Sequence, residues 1–374
     1  MTRRIVSAFI RCFAVALAAV IAAVPAHATK YAGEFLKIQP GARAIGMGGA
    51  FTAVADDATA PYWNPAGMVY LPYREVLPQH SEKFGSLAKH DFMGTVLPLG
   101  GAKGKRAAMG LGFIRLAVDD IPITPRPGDL RPGIDFNDGG LDNDISTSDP
   151  GNLDNQWQPG ERLLDLNLYQ ASASDMALLL SYARHRGVHW AFGGSLKFVR
   201  QSIPDTLFGE HVTSFGAGLD VGALYMPTDA VTIGAAVHDV TKTYLAWSNG
   251  VREQIDPTLD LGAAINFYPA ERQALTWALD LAWGFERRQL DSQIKLGSVT
   301  ADLRTGLEYW YRSTFALRSG LNGKDVTFGA GVRYKHVGVD YAASLHRFLA
   351  ADEQDFQSDQ NFDATHLVSA SFSW

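Results

Sequence analysis

Thr365-His366-Leu367-Val368-Ser369-Ala370-Ser371-Phe372-Ser373-Trp374 alternates residue by residue and ends on an aromatic. His366, Val368, Ala370, Phe372 and Trp374 share one face, and Thr365, Leu367, Ser369, Ser371 and Ser373 share the other. Side chains in a strand alternate between faces, so this pattern suits a strand with lipid on one side and a polar lumen on the other. The expectation is an all-β chain, a transmembrane antiparallel β-barrel.

Working upstream, the same period of two returns. Leu275, Trp277, Leu279, Leu281, Trp283 and Phe285 alternate with Thr276, Ala278, Asp280, Ala282 and Gly284. The segments around Phe215–Tyr225, Leu259–Phe267 and Val337–Leu345 repeat the scheme. Lys197, Asp220, Asp260, Asp280, Arg333 and Asp340 fall on the small-residue face. A basic residue facing lipid at midplane costs about 2–4 kcal/mol, so these charges assign that face to the lumen. Counting such segments gives about 14 strands over 67–374, an even number as single-chain bacterial barrels require. The first is expected over 67–80 and the third over 106–117, with 118–174 as the longest external loop. Short turns at Gly187, Arg312 and Lys335 then lie at one end and the longer connections at the other.

Near the N-terminus, Arg3, Arg4 and Arg11 precede an apolar run from Cys12 to Val24, then Pro25 and Ala26-His27-Ala28. That order predicts a secretory signal peptide over 1–28, and hence Sec-type export to the outer membrane of a Gram-negative-type bacterium. The run is shorter than the roughly 20 apolar residues of a spanning helix. Cys12 is the single cysteine, so stability after cleavage must come from backbone pairing and burial, not from disulfides. Mean hydropathy of −0.05 decides nothing, because lumen-facing residues cancel lipid-facing ones. A net charge of −6 with scattered basic residues offers no stripe for nucleic acid.

Residues 29–66 fit neither strand nor signal. Gly46, Gly48 and Gly49 permit close backbone approach, Ala53–Ala60 suggests a short helix stopped by Pro61, and Asn64-Pro65 predicts a rigid turn. A compact insert that fills the lumen is expected. The run Gly41-Ala42-Arg43-Ala44-Ile45-Gly46-Met47-Gly48-Gly49, then Ala55-Asp56-Asp57-Ala58 and Asn64-Pro65-Ala66-Gly67, resembles the N-terminal region of the FadL/TodX superfamily of outer-membrane transporters. Within it, the PorV/PorQ-type branch looks most similar. The resemblance implies a hatch over 29–66 in which Asn64, Pro65 and Ala66 block the pore while Asp56 and Asp57 bond it to the wall. It also implies uptake of hydrophobic, long-chain fatty-acid-like compounds with sideways exit into the membrane, for which Gly110 and Gly112 are candidates for a kink. The PorV-like alternative is a surface shuttle that binds exported cargo proteins in type IX secretion. Outer-membrane lipid is a partner on either reading, as is barrel-assembly machinery engaging the strand that ends at Trp374.

Within 118–174, Asp135, Asn137, Asp142 and Asp144 stand among other acidic residues. Clustered oxygen ligands are the chemistry of Ca²⁺, but the spacing departs from the EF-hand loop, and a solvated loop is the plainer expectation. No cofactor is otherwise expected. No G-x-S-x-G or H-E-x-x-H occurs in the sequence, so a non-enzyme is expected.

Overall fold

In the computed structural model, the described residues are 32–83, 86–100, 106–123, 169–204, 211–285, 292–297, 299–345 and 364–374. The expected signal peptide, and Asp135, Asn137, Asp142 and Asp144, lie outside them.

Each strand forms where the sequence alternates. In chain order they are β1 (Glu75–Lys83), β2 (Ala88–Pro98), β3 (Ala107–Ile123), β4 (Tyr169–Arg186), β5 (Trp190–Pro204), β6 (His211–Thr228) and β7 (Val231–His238). There follow β8 (Thr243–Trp247), β9 (Arg252–Ile255), β10 (Thr258–Phe267), β11 (Ala274–Gly284), β12 (Ile294–Leu296) and β13 (Val299–Tyr311). The last four are β14 (Phe315–Asn322), β15 (Asp325–Tyr334), β16 (Val337–Leu345) and β17 (Ala364–Ser373). All the pairings are antiparallel, and β1 pairs with both β2 and β17, which closes the ring. Fourteen strands make the wall. The other three are accessory: β8 and β9 form a hairpin extending the sheet beyond β7 and β10, and β12 pairs with the start of β13. Among the described residues each of the fourteen wall strands pairs on both sides, which is what a bilayer demands of a sheet.

Burial follows the expected parity. In β17, Val368 and Phe372 are exposed whereas Leu367, Ser369 and Ser371 are buried. In β11, Trp277 and Leu279 point outward while Thr276, Ala278 and Asp280 are buried inside. Exposed Phe267, Tyr268, Tyr311, Phe315, Tyr334 and Trp374 gather where the short turns are, forming an aromatic girdle at that end. No helix among the described residues is long and apolar enough to cross a membrane.

Three expectations are corrected. β1 starts at Glu75, because residues 65–70 form a 3-10 helix packed inside the barrel; the inner segment therefore extends past 66. β3 and β4 reach Ile123 and back to Tyr169, so the connection expected over 118–174 begins and ends in strand. The helix near Ala53 forms later, over Ala60–Trp63, with Pro61 in its first turn, where a missing N–H costs nothing.

Candidate functional site

The N-terminal segment 32–74 sits within the ring as short turns, a helix over Ala42–Gly46 and the helix Ala60–Trp63. Its apolar side chains make its own centre: Met47, Phe51, Trp63, Met68 and Leu71 are almost fully buried, with Phe51 and Trp63 edge to face at 5.8 Å. Each such side chain contributes about 1.5–3 kcal/mol by leaving water. The wall meets it in two ways. Across β2–β5 the lumen side carries an apolar strip of buried Phe92, Val96, Ile114, Leu179 and Val199 beside buried polar Ser181, Ser195 and Lys197, and the 3-10 helix Pro65–Tyr70 packs along these strands. Across β11–β16 it is charged, with Asp280, Glu308, Arg318 and Asp340 buried.

Arg43 is the centre of the charged side. Its Nε and one terminal nitrogen donate to the two oxygens of Glu308 at 2.9 and 2.8 Å, and the other terminal nitrogen donates to Asp56 at 2.5 Å and Asp57 at 3.2 Å. Burial alone would lower its pKa, but Asp56, Glu308 and Asp57 together hold it well above the usual value, so the guanidinium stays charged. Glu308 also accepts from Arg318 Nε at 2.7 Å, and Arg318 reaches Asp340 at 2.7 Å. A fork-to-carboxylate pair of this kind fixes orientation as well as charge.

Hydrogen bonds from backbone N–H groups complete the anchoring. Asp280 accepts the backbone N–H groups of Phe51 and Thr52 at 2.8 and 2.7 Å, Glu75 accepts that of Ala58, and Gln79 accepts that of Gly41. Asn64, fully buried, donates to the Thr52 carbonyl at 2.8 Å and the Ala223 carbonyl at 3.4 Å while accepting from Ala66 N–H. It thus caps its own 3-10 helix and touches β6. Tyr62 donates to the Leu36 carbonyl, and burial pushes its phenol pKa up; burial likewise raises Tyr70 to about 12.

The singled-out residues divide accordingly. Gly46 faces Gly329, and Gly48, at φ +65°, lies against the Leu321 backbone, so at both a side chain would meet the wall. Gly49 is also left-handed, at φ +71°. Asn64, Pro65 and Ala66 lie in the middle of the insert against β5 and β6. Asp56 and Asp57 do not bond the wall: they grip Arg43, and Arg43 reaches it. Gly110 and Gly112 form no kink. Both are in register with β2 and β4, and the register shift of β3 falls between Val118 and Ile121. A Cβ at Gly110 would meet Met68 and Pro61, so the glycine makes room for the insert.

Sequence reading passed over Arg43, Glu308 and Arg318, although parity was a signal: Glu308 sits between Leu307 and Tyr309, as Asp280 does between Leu279 and Leu281. The glycines of the small-residue face were legible as leaving room in the lumen, but not what each one seats. At Gly193 a Cβ would strike the Pro65 and Ala66 backbone, at Gly222 Asn64 and Pro65, and at Gly320 Met47 and Gly48. Farther round, Lys197 donates to Asp220 at 3.1 Å and pairs with Asp239 at 2.7 Å, beside His238 and Asp260. This cluster lies at the Asp239–Lys242 turn that joins β7 to β8, beside the point where β6 changes partner from one to the other. Among the described residues, no group of His, Cys, Asp and Glu is placed to hold a metal ion.

No family model matches the chain, and no curated protein matches it. Solved structures similar to it include FadL/TodX-type outer-membrane channels at low identity. The Pseudomonas putida toluene transporter TodX is 13% identical, with 89% of this chain and 97% of that one covered, at a TM-score of 0.49. The CymD monoaromatic hydrocarbon channel is 13% identical over 88% of this chain and 96% of that one, at 0.49. A Pseudomonas aeruginosa FadL homologue is 12% identical over 87% and 96%, at 0.44.

Proposed function

We propose that this chain is an outer-membrane channel for hydrophobic small molecules, with residues 32–74 as its hatch. The observation that carries the reading is the fit of that segment inside a closed barrel whose outer face is apolar. A lumen occupied in this way suits selective passage of small apolar compounds better than bulk flow of water and ions. An apolar compound gains about 0.8 kcal/mol per CH₂ each time it exchanges water for a greasy surface, so a route between apolar sites and the bilayer runs downhill. The buried apolar strip of β2–β5 is such a surface. Sideways exit needs a gap in the ladder, and beside the Asp239–Lys242 turn the ladder partner of β6 changes between Ala217 and Val221; this reading puts the exit there and not at Gly110 and Gly112.

The test is uptake of a fluorescent long-chain fatty acid and of radiolabelled toluene by cells expressing the chain. Faster entry than in cells with an empty vector supports the reading. Equal entry, with the barrel present in the outer membrane, refutes it; co-purification of exported surface proteins would then favour the shuttle.

A further inference from the structure

On the outer face, near the end bearing the long connections, four residues stand in one cross-strand row. Arg200 on β5 is opposite Phe215 on β6, Phe215 is opposite Ala246 on β8, and Ala246 is opposite Arg252 on β9. Directly opposed residues point to the same side of a sheet, so two arginines flank an aromatic and a small residue. Three strand spacings separate the arginines, about 14 Å. Arg200, Arg252, Phe215 and Ala246 are all exposed, Phe215 at 59%. Arg200, Phe215 and Ala246 border an open groove of about 290 Å³ together with Thr213, Ser214, Trp247 and Ser248, and Arg252 stands one strand beyond Ala246.

Two other outward basic residues near this end are paired, Lys89 with Asp119 at 2.8 Å and Arg115 with Asp91 at 3.2 Å. Arg200 and Arg252 have no ion pair among the described residues. Glu253, the carboxylate nearest in sequence, is on the opposite face, opposite buried Leu245, and accepts from the Trp247 indole at 2.9 Å. Below the row, Phe198 stacks with Phe215, and Leu196, Val221 and Tyr244 are exposed.

We propose that this row binds the headgroup of a phosphorylated glycolipid of the outer leaflet, with the guanidiniums of Arg200 and Arg252 each taking a phosphate and Phe215 supporting the acyl chains. The inference rests on the orientation that the proposed function requires. Arginine presents a fork that matches phosphate oxygens, the groove supplies hydroxyl groups for a sugar, and the apolar strip beneath suits acyl chains. A free anion would use the arginines but leave Phe215 and the strip below without a role, which is why a lipid is the occupant.

The test uses the full refolded protein in detergent and native mass spectrometry with three probes: bisphosphorylated lipid A, monophosphoryl lipid A and inorganic phosphate. Wild-type protein should retain the bisphosphorylated lipid about tenfold more tightly than the monophosphoryl form and should not retain phosphate. Arg200→Gln and Arg252→Gln should each weaken retention about tenfold, whereas Arg200→Lys should weaken it less. Arg184→Gln, an outward arginine at the opposite end, should change nothing. Equal retention of the two lipids by wild-type protein overturns the proposal and needs no variant to read. Equal weakening by Arg184→Gln also overturns it. Either failure leaves hydrophobic uptake untouched, and failure of uptake leaves lipid retention measurable.

Discussion

Replacing Arg43 by alanine should unseat the N-terminal segment while leaving the barrel closed. The side chain is 9% exposed and makes four charged contacts, two to Glu308 and one each to Asp56 and Asp57. Breaking a buried ion pair costs about 3–5 kcal/mol, chiefly because the remaining charge is stranded. Glu308 would not be stranded, since Arg318 Nε stays at 2.7 Å, and Asp57 keeps the Thr59 N–H. Asp56 is 52% exposed, so its contact is largely screened by solvent and adds little. The lower bound therefore applies, about 3 kcal/mol, which is about a hundredfold in the ratio of released to seated segments. None of the lost contacts is a ladder bond, so the heat-modifiable migration of the folded barrel should persist. In planar lipid bilayers, Arg43→Ala should show about a hundredfold more open time than wild type, and protease should cut within 32–74 at lower concentrations. Unchanged conductance together with unchanged cleavage, in a barrel that still migrates as folded, would refute the anchoring role of Arg43.

Gly193→Val should raise conductance in the same assay, because its side chain would collide with the Pro65 and Ala66 backbone, and overpacking costs about 1–3 kcal/mol. Gly194→Ala is the control: its Cβ faces the outer side and meets only the Asp220 carbonyl at 3.5 Å, so conductance and stability should match wild type. Asn64→Ala should cost about 1–3 kcal/mol, since the Thr52 carbonyl is left buried without its donor; urea titration of the refolded protein with a fluorophore on the segment would read this. Leu180→Arg, outward on β4 and 43% exposed, should destabilise insertion by about 2–4 kcal/mol, measured as the urea midpoint of folding into liposomes.

The wall was legible from sequence because its rule is local: one parity carries apolar residues and the other does not, as with Val368 and Ser369 in β17. Strand ends were less legible. Val69 to Arg74 carries no strong strand or helix signal, and only its packing on β4–β6 turns residues 65–70 inward as a 3-10 helix. The site lay further out of reach. Arg43 is 265 residues from Glu308, and no local pattern states which lumen charge meets which. Asp56 and Asp57 were identified as anchors, but their partner is within the same segment, a distinction that needs the folded path of 42–57. Gly110 gave a real signal with the wrong cause: interior glycine marks either a bend or a close neighbour, and the unbroken register of β3 with Met68 beside it selects the second.

The two sides of the lumen hold the segment by forces that respond differently to a ligand. On β11–β16 the contacts are ion pairs and amide bonds to Asp280 and Glu308, which an apolar compound cannot replace. On β2–β5 and the Pro65–Tyr70 helix the contacts are mainly apolar side chains and glycine seats, with one hydrogen bond from Ser195 Oγ to the Pro61 carbonyl at 3.2 Å, so an apolar compound can substitute for most of that protein surface at little cost. A hydrophobic ligand entering from the open end should therefore compete with the Met68 and Leu71 side of the segment before it disturbs Arg43. The helix Ala42–Gly46 then remains the fixed end, and motion is confined to the stretch after Asn64. That order follows from the chemistry of the two interfaces alone, and it makes Gly193 and Gly110, not Gly320, the positions where added bulk mimics an arriving ligand.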